Sequence, residues 1–489
     1  MRRVSSAAVA VLLLACRTPA PPLATPSSAP ERILPERAAD ITLPQNDAEW
    51  RAVGDEAVRL LSQYLQINTT NPPGNELAAA RWLQAVLARE GIEVRVLEPR
   101  PGKANLIARV RGDGSARAVV MLNHMDVVLA SAEHWRVPPF SGSIQDGYVW
   151  GRGALDMKGE GVAQLMTLLL LKRSGVPLKR DVVFLATADE EINGGVGASW
   201  VAEEQPDLVR NAEFLLNEGG TIRAAANGAP EYVGVGTTEK SPYWLDVTVR
   251  GTPGHGSRPT PDNPVHRLLR ALSKIAAWET PLIVTPTVDK YFRELATAER
   301  DSVRRRWYGN IGAALRDETA ARTITADPVL NALLRNTISI TGLKGSDKTN
   351  VIPPVASAVL DVRLLPGQDP AAFMADLTRV VGDSGVTFQP QGRTWAATES
   401  GMDTEMYQAI VSAARSRAPG AVVAPYMLAG FTDSHYFRRL GIASYGISPF
   451  PVLPEDARGV HGNDERLSVD AMRFGVRFYF DVVRRVAER

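Results

Sequence analysis

The sequence predicts an α/β fold: a mostly parallel sheet covered by helices, interrupted by a smaller inserted α+β domain of ferredoxin-like pattern. Three observations carry this. Between residues 47 and 240, short unbroken apolar runs alternate with helical stretches, the βαβ rhythm of a sheet buried on both faces. Beyond Lys240 the strands alternate apolar and polar, and the order becomes β-α-β-β-α-β. Near Arg393 the first rhythm resumes and runs to the end. At 489 residues the chain exceeds what one core usually serves, so more than one domain is expected.

Taken in order, residues 1–16 join Arg2-Arg3 to an apolar stretch, Val4 to Leu14, and end in Leu13-Leu14-Ala15-Cys16. A basic start, a short apolar region and small residues at the cut site predict an export signal too short to span a bilayer. The ending resembles the bacterial lipobox, so Cys16 is expected to be lipidated; a plain cleaved signal is the alternative. The expected location is the bacterial cell envelope, periplasmic or anchored to the outer membrane, or else soluble after secretion. Arg17 lacks the Asp associated with inner-membrane retention. Cys16 is the sole cysteine, so no disulfide holds the fold. Residues 17–46, with seven prolines among Ala, Ser and Thr, read as an extended tether.

The first part of the main domain, 47–240, is expected to hold helices at 55–66 and 76–90, strands at 93–97, 105–109, 181–187 and 213–217, a further strand on the apolar run 119–122 that delivers His124, a helix over 162–171 and another near Ser199. The insert, 241–392, is expected to hold strands at 243–250, 336–341, 355–364 and 386–389, with helices at 264–278 and 370–381. A charged, largely helical stretch, 281–334, is read as an elaboration of this lid. The second part, 393–489, carries a helix at 403–414, a strand and loop through Tyr426 to Asp433, a strand at 443–447, the loop of His461 and a final helix at 469–486. The net charge of +1 and the lack of basic runs with aromatics argue against nucleic-acid binding.

The chemistry-bearing residues cluster by this reading. Active-site groups of open α/β sheets lie just past the carboxyl ends of strands. His124 and Asp126 follow the run Val119-Val120-Met121-Leu122, Glu190 and Glu191 follow the 181–187 strand, and Glu218 follows the 213–217 strand. Asp156 sits among glycines before the long apolar helix, and His461 comes from a late loop. Singly, such a histidine is usually structural and such acids usually solvated. Together they make a candidate site. Side chains two apart share a face, so Asp126 is expected to accept from one ring nitrogen of His124 while the other faces a metal. Two histidines with three carboxylates suit zinc, and one carboxylate can bridge two ions about 3.5 to 4 Å apart. A carboxylate left outside the metal shell is needed to move the proton of an attacking water. Residue chemistry does not say which of Glu190 and Glu191 that is.

Six ordered segments carry a family resemblance: Asn123-His124-Met125-Asp126, Gly151 to Gly159, Ala188 to Gly195, Asn217 to Gly220, Gly251 to Ser257 and Val460 to Glu465. They resemble those of the M20 metallopeptidases, which include carboxypeptidases, dipeptidases, aminoacylases and deacylases. Glu218 rather than Asp, its following glycines and the enlarged lid look more like the carboxypeptidase S and aminoacylase-like branch than like the short bacterial deacylases. The resemblance implies two zinc ions per chain and a lid that often dimerises, giving a homodimer. By position it implies that Asp156 bridges the metals, His124 and Glu218 hold one, and Glu191 and His461 hold the other. It makes Glu190 the general base and Asp126 the partner of His124. His255 is implied to stabilise the oxyanion, often across a dimer, and Asn350 and Arg363 to bind the substrate's carboxylate. The loop Gly430-Phe431-Thr432-Asp433-Ser434-His435 resembles the family's substrate-side loop but departs from it at Phe431 and His435.

The expected activity is zinc-dependent hydrolysis of a peptide or N-acyl amino acid amide next to a free carboxylate. Side-chain preference stays open. A serine hydrolase is disfavoured because no G-x-S-x-G occurs. A non-catalytic binding lipoprotein is disfavoured because every expected ligand and the base are present.

Overall fold

The computed structural model describes residues 34, 41–392 and 394–489; Cys16, the export signal, most of the tether and Arg393 lie outside them. Among the described residues no helix is long and apolar enough to cross a membrane.

The main sheet has ten strands. At its centre Val182–Thr187, Ala118–His124, Ala212–Asn217 and Ala443–Gly446 run parallel in that order, and the first two are buried at every residue. That double-sided burial explains the unbroken apolar runs. The strands Glu93–Arg100 and Lys103–Val110 form an antiparallel edge that also meets Val182–Thr187 antiparallel. Only Pro101 and Gly102 separate them, far too few residues for a parallel crossover. On the other flank Pro230–Glu239, continuing to a short hairpin with Thr221–Ala224, pairs in parallel with Val422–Leu428.

The Lys158–Ser174 helix is buried at every residue from Lys158 to Leu171, wedged between the sheet and the amphipathic Val469–Ala487 helix. A helix apolar on all sides belongs inside. Its burial fixes the loop before it, which carries Asp156.

The second sheet runs in the order Thr337–Lys344, Val355–Leu364, Leu245–Arg250, Val386–Pro390, all antiparallel. The Pro264–Ala277 and Pro370–Val381 helices bring Leu268, Leu272, Phe373 and Leu377 into one core with its strands. This is the ferredoxin-like order.

The helices from Pro286 to Leu334 differ from the sequence reading. The Pro286–Ala298 helix packs against the main sheet, in a cluster that joins Phe292, Ile311 and Ile324 to Met427 of the Val422–Leu428 strand. The Thr287 and Thr237 hydroxyls meet at 2.8 Å, and the Tyr291 ring stands 6.4 Å from that of Tyr232. The apolar stripe of the Pro286–Ala298 helix is covered by the outer strand of the catalytic sheet, a placement that chain order does not show.

Candidate metal centre

Strand register sets the site. His124 is the last residue of its strand and lies opposite Thr187, so Asp126 and the Glu190–Glu191 turn leave the sheet side by side. Glu218 leaves the neighbouring strand at the same edge. The glycines after it have a steric purpose: a Cβ at Gly220 would lie 2.4 Å from the carbonyl oxygen of Gly446 on the adjacent strand. Asp189, with φ of 73°, makes the sharp turn that presents the two glutamates, a left-handed conformation aspartate tolerates better than most residues.

Two triads of ligand atoms result, sharing Asp156, with the atoms of each within 4.8 Å of one another. In one, His124 Nε2 lies 3.1 Å from Asp156 Oδ1 and 3.8 Å from Glu218 Oε1. In the other, His461 Nε2 lies 3.0 Å from Asp156 Oδ2 and 3.2 Å from Glu191 Oε2. The other ring nitrogen of His124 sits 3.0 Å from the Asp126 backbone carbonyl, with the carboxylate farther off at 3.6 Å. This corrects the expectation that the carboxylate is its partner. A carbonyl can only accept, so Nδ1 carries the proton and Nε2 is the ligand atom.

Asp126 instead anchors the neighbouring turn. Its carboxylate accepts the N–H groups of Glu190 and Glu191, both at 3.2 Å, and the side-chain amide of Asn71 at 2.8 Å. Burial works against its charge, but the nearby His124 ring and the donors of Asn71 and the Glu191 backbone outweigh it and hold the carboxyl below its ordinary range. Asn71 also bonds Asp189, and Lys103 reaches Asn71, Glu76 and Asp189 at 2.7 to 3.1 Å. Neither Asn71 nor Lys103 carries any local sequence signal. Glu465, fully buried, performs the corresponding task for Asp156: it accepts from Arg152 Nη1 at 2.6 Å and from the backbone of Gly153, Leu155 and Asp156 at 2.9, 2.7 and 3.0 Å. Its signal was its place four residues after His461, in the same motif.

The crowded acids and histidines of the site shift one another's proton affinity. Burial and the charge of Asp156 push Glu218 up to about 8, and burial with the charge of Glu218 drives Glu190 well above the carboxylate range. Hydrogen bonds to Asp156 and Glu191 draw His461 up to about 10. Nitrogen and oxygen lone pairs face each other at these distances only with a proton or a metal between them. Glu191 Oε1 is buried with no hydrogen-bond partner among the described residues, a further unused ligand atom. Imidazole and carboxylate donors without a thiolate fit a two-metal hydrolytic centre, with Asp156 shared.

Glu190 belongs to neither triad yet lines the same cavity of about 340 Å³ with Asp156, Glu191, Glu218 and His461. Asp433, from the loop after Val422–Leu428, is pushed up to about 7 chiefly by burial, and its loop is tied by Glu239, which accepts from the Thr432 N–H at 2.8 Å.

The lid residues lie apart from this cavity. His255 and Val351 pair in a short ribbon, where His255 Nδ1 lies 2.8 Å from the Ser257 hydroxyl and the Asn350 carbonyl accepts from Gly256 N–H at 2.7 Å. Arg363 donates to Asp361 at 2.7 and 3.1 Å and rests over the rings of Trp244 and Phe431, at 5.6 and 5.9 Å. His255 and Asn350 are thus beside each other, and Arg363 is beside Phe431, which lines the cavity.

Known proteins share both sequence and fold. N-fatty-acyl-amino acid synthase/hydrolase PM20D1 of Xenopus tropicalis is 30% identical over 386 residues, covering 78% of this chain and 75% of that protein. Mouse aminoacylase-1 is 28% identical over 439 residues, covering 88% and 95%. The M20 family metallo-carboxypeptidase Sso-CP2 from Sulfolobus solfataricus superposes with a TM-score of 0.66 at 20% identity, covering 88% of this chain and 98% of that one. Human carnosine dipeptidase 1 does so with a TM-score of 0.65 at 16% identity, covering 93% and 99%. With the sequence matching the family profile from residue 120 to 485, a span that takes in both triads, the chain belongs to peptidase family M20/M25/M40.

Proposed function

We propose that this protein is a two-zinc amidohydrolase cleaving an amide next to a free carboxylate. The observation that carries the reading is the pair of triads sharing Asp156, with Glu190 left over beside them. His124 and Glu218 would hold one ion, Glu191 and His461 the other, and Asp156 both. Bound there, the metals would supply Lewis acidity and an acidified water. Glu190 takes the proton of the attacking water and returns it to the leaving nitrogen, a task its place beside both triads suits. Asp126 keeps Glu190 and Glu191 in place through their backbone N–H groups. Arg363 and Asn350 bind the substrate's carboxylate, for which a guanidinium is well shaped. His255 donates to the oxyanion.

Between the two amide classes, the identities with PM20D1 and aminoacylase-1 support N-acyl amino acids, and the fold shared with a carboxypeptidase supports peptides. Zinc-loaded protein given dipeptides, longer peptides and N-acyl amino acids, with released amino acids read by mass spectrometry, tests the reading. Release from acyl conjugates alone makes it an aminoacylase, and release from peptides a peptidase. No release with two metals bound contradicts it.

We also propose a homodimer through the lid and a lipid anchor at Cys16. The exposed edge strand Thr337–Lys344, with Leu343 63% exposed, supports the first, and the Leu13-Leu14-Ala15-Cys16 pattern the second. Light scattering checks the dimer, and metabolic labelling with palmitate checks Cys16.

A further inference from the structure

A second cavity, of about 420 Å³, lies beside that of the triads. Trp244 enters it from the lid, Trp395 from the segment leaving the lid, Phe431 and Tyr436 from the loop that carries Asp433, and Asn193 and Ser199 from the chain following Glu191. Phe431 lines both cavities, so the two adjoin.

The aromatic walls are locked. Trp395 stacks on the His435 ring at 4.6 Å and 12°, and His435 is itself held by a 2.7 Å contact from Nδ1 to the Thr432 carbonyl. Phe431 meets the Trp244 ring edge-on at 6.5 Å. The polar ends of two rings are already engaged: the Tyr436 hydroxyl donates to the Asn193 carbonyl at 2.9 Å and Trp244 Nε1 donates to Asp361 at 3.1 Å. What these rings offer a ligand is apolar surface. A preformed concave site with aromatic walls and a few polar groups is built to hold a small molecule.

Arg363 identifies which part of the molecule. Its guanidinium rests on Trp244, which lines the second cavity, and on Phe431, which lines both. In an amino acid the carboxylate and the side chain share one carbon. A carboxylate held by Arg363 therefore brings the side chain on that carbon to the rings that wall the second cavity.

We propose that this cavity is the specificity pocket for a large apolar side chain, aromatic or branched aliphatic, on the amino-acid half of the substrate. The proposal rests on the reading of Arg363 and of amide hydrolysis given above. It assigns Phe431, where the loop departs from the common family pattern, to selecting the substrate, and Trp395 to the pocket's wall. A hydrophobic pocket discriminates by roughly 10- to 200-fold for each methylene gained or lost, so phenylalanine should exceed alanine by at least ~10-fold.

The test uses the full chain, zinc-loaded, with N-acetyl-alanine, -leucine and -phenylalanine in one series and alanine bearing acyl groups of increasing length in another. The same N-acetyl amino acids are titrated onto metal-free protein and followed by ligand-detected NMR, which needs no turnover. Two variants are compared: Trp395→Ala, which opens the cavity, and Ser199→Phe, which fills it from another lining position should the first fail to fold. The proposal expects the phenylalanine-to-alanine ratio of kcat/KM to fall at least ~10-fold in each variant. It also expects N-acetylphenylalanine to lose its NMR binding signal in both. An unchanged ratio and unchanged binding in a folded variant overturn it. A fall confined to the acyl-length series overturns it too, giving the cavity to the other half of the substrate. If the wild type hydrolyses nothing yet binds N-acetylphenylalanine in a variant-sensitive way, the activity reading fails and the pocket stands.

Discussion

Replacing Glu465 by glutamine should damage the metal centre from a position that touches no metal. In the native site Oε1 accepts the N–H groups of Leu155 and Asp156, and Oε2 accepts that of Gly153 and the guanidinium of Arg152. An amide has only one acceptor oxygen. Whichever way it is turned, its NH2 group faces two donors, and two buried groups lose their partner. At about 1 to 3 kcal/mol for each unsatisfied buried group, the loss comes to about 2 to 6 kcal/mol. Arg152 retains the carbonyls of Gly459 and Gly462, which keeps the cost near the lower half of that range. Because the loop so loosened carries Asp156, metal affinity should fall by about 10- to 100-fold, as for outer partners of other metal sites. Urea unfolding of the metal-free variant and chelator competition for zinc measure the two effects. A variant within ~0.5 kcal/mol of wild type with unchanged zinc affinity would refute the role given to Glu465.

Two further predictions address the base and the lid junction. Glu190→Gln should keep both metals yet lose at least ~100-fold in kcat, and near-normal turnover would show that the base is another residue. Lys240, fully buried where the chain passes into the lid, donates to the carbonyls of Ala332 and Arg335 and to the Thr337 hydroxyl. Burial pushes its ammonium down to about 7. Between about pH 7 and the ordinary lysine value near 10.5, the unfolded chain therefore binds more protons than the folded one, so stability rises with pH through that window. Lys240→Met removes this slope: wild type should gain on the variant by as much as roughly 4 kcal/mol from about pH 7 to 10, and parallel stability curves would show that Lys240 is not the titrating group.

What the sequence made legible were features written locally. His124, Glu190 and Glu218 stand where unbroken apolar runs stop, and the same burial that makes those runs apolar brings their ends to one edge. The Val355–Leu364 strand alternates buried and half-buried residues along its whole length, and its sheet order follows from that pattern and the helices between. Pairing direction is not written locally, which is why the Glu93–Val110 segment joins a largely parallel centre as an antiparallel hairpin. Nor is the surface a helix covers: Phe292 and Ile324 read as apolar positions whether they face the lid or Met427. The supports of the site were the least visible, because they join residues far apart in the chain. Lys103 meets Asp189 across 86 residues, and Arg152 meets Glu465 across 313. His124 shows a finer limit, since its spacing to Asp126 signals contact but not that the carbonyl rather than the carboxylate is the nearer acceptor.

Metal stoichiometry tests the central claim most directly, because only a shared ligand links both ions. Wild-type protein and Asp156→Asn, loaded with zinc, freed of excess and analysed by mass spectrometry of the metal, should hold two ions per chain and well under one, respectively. Two ions retained in Asp156→Asn would contradict a centre built on that carboxylate.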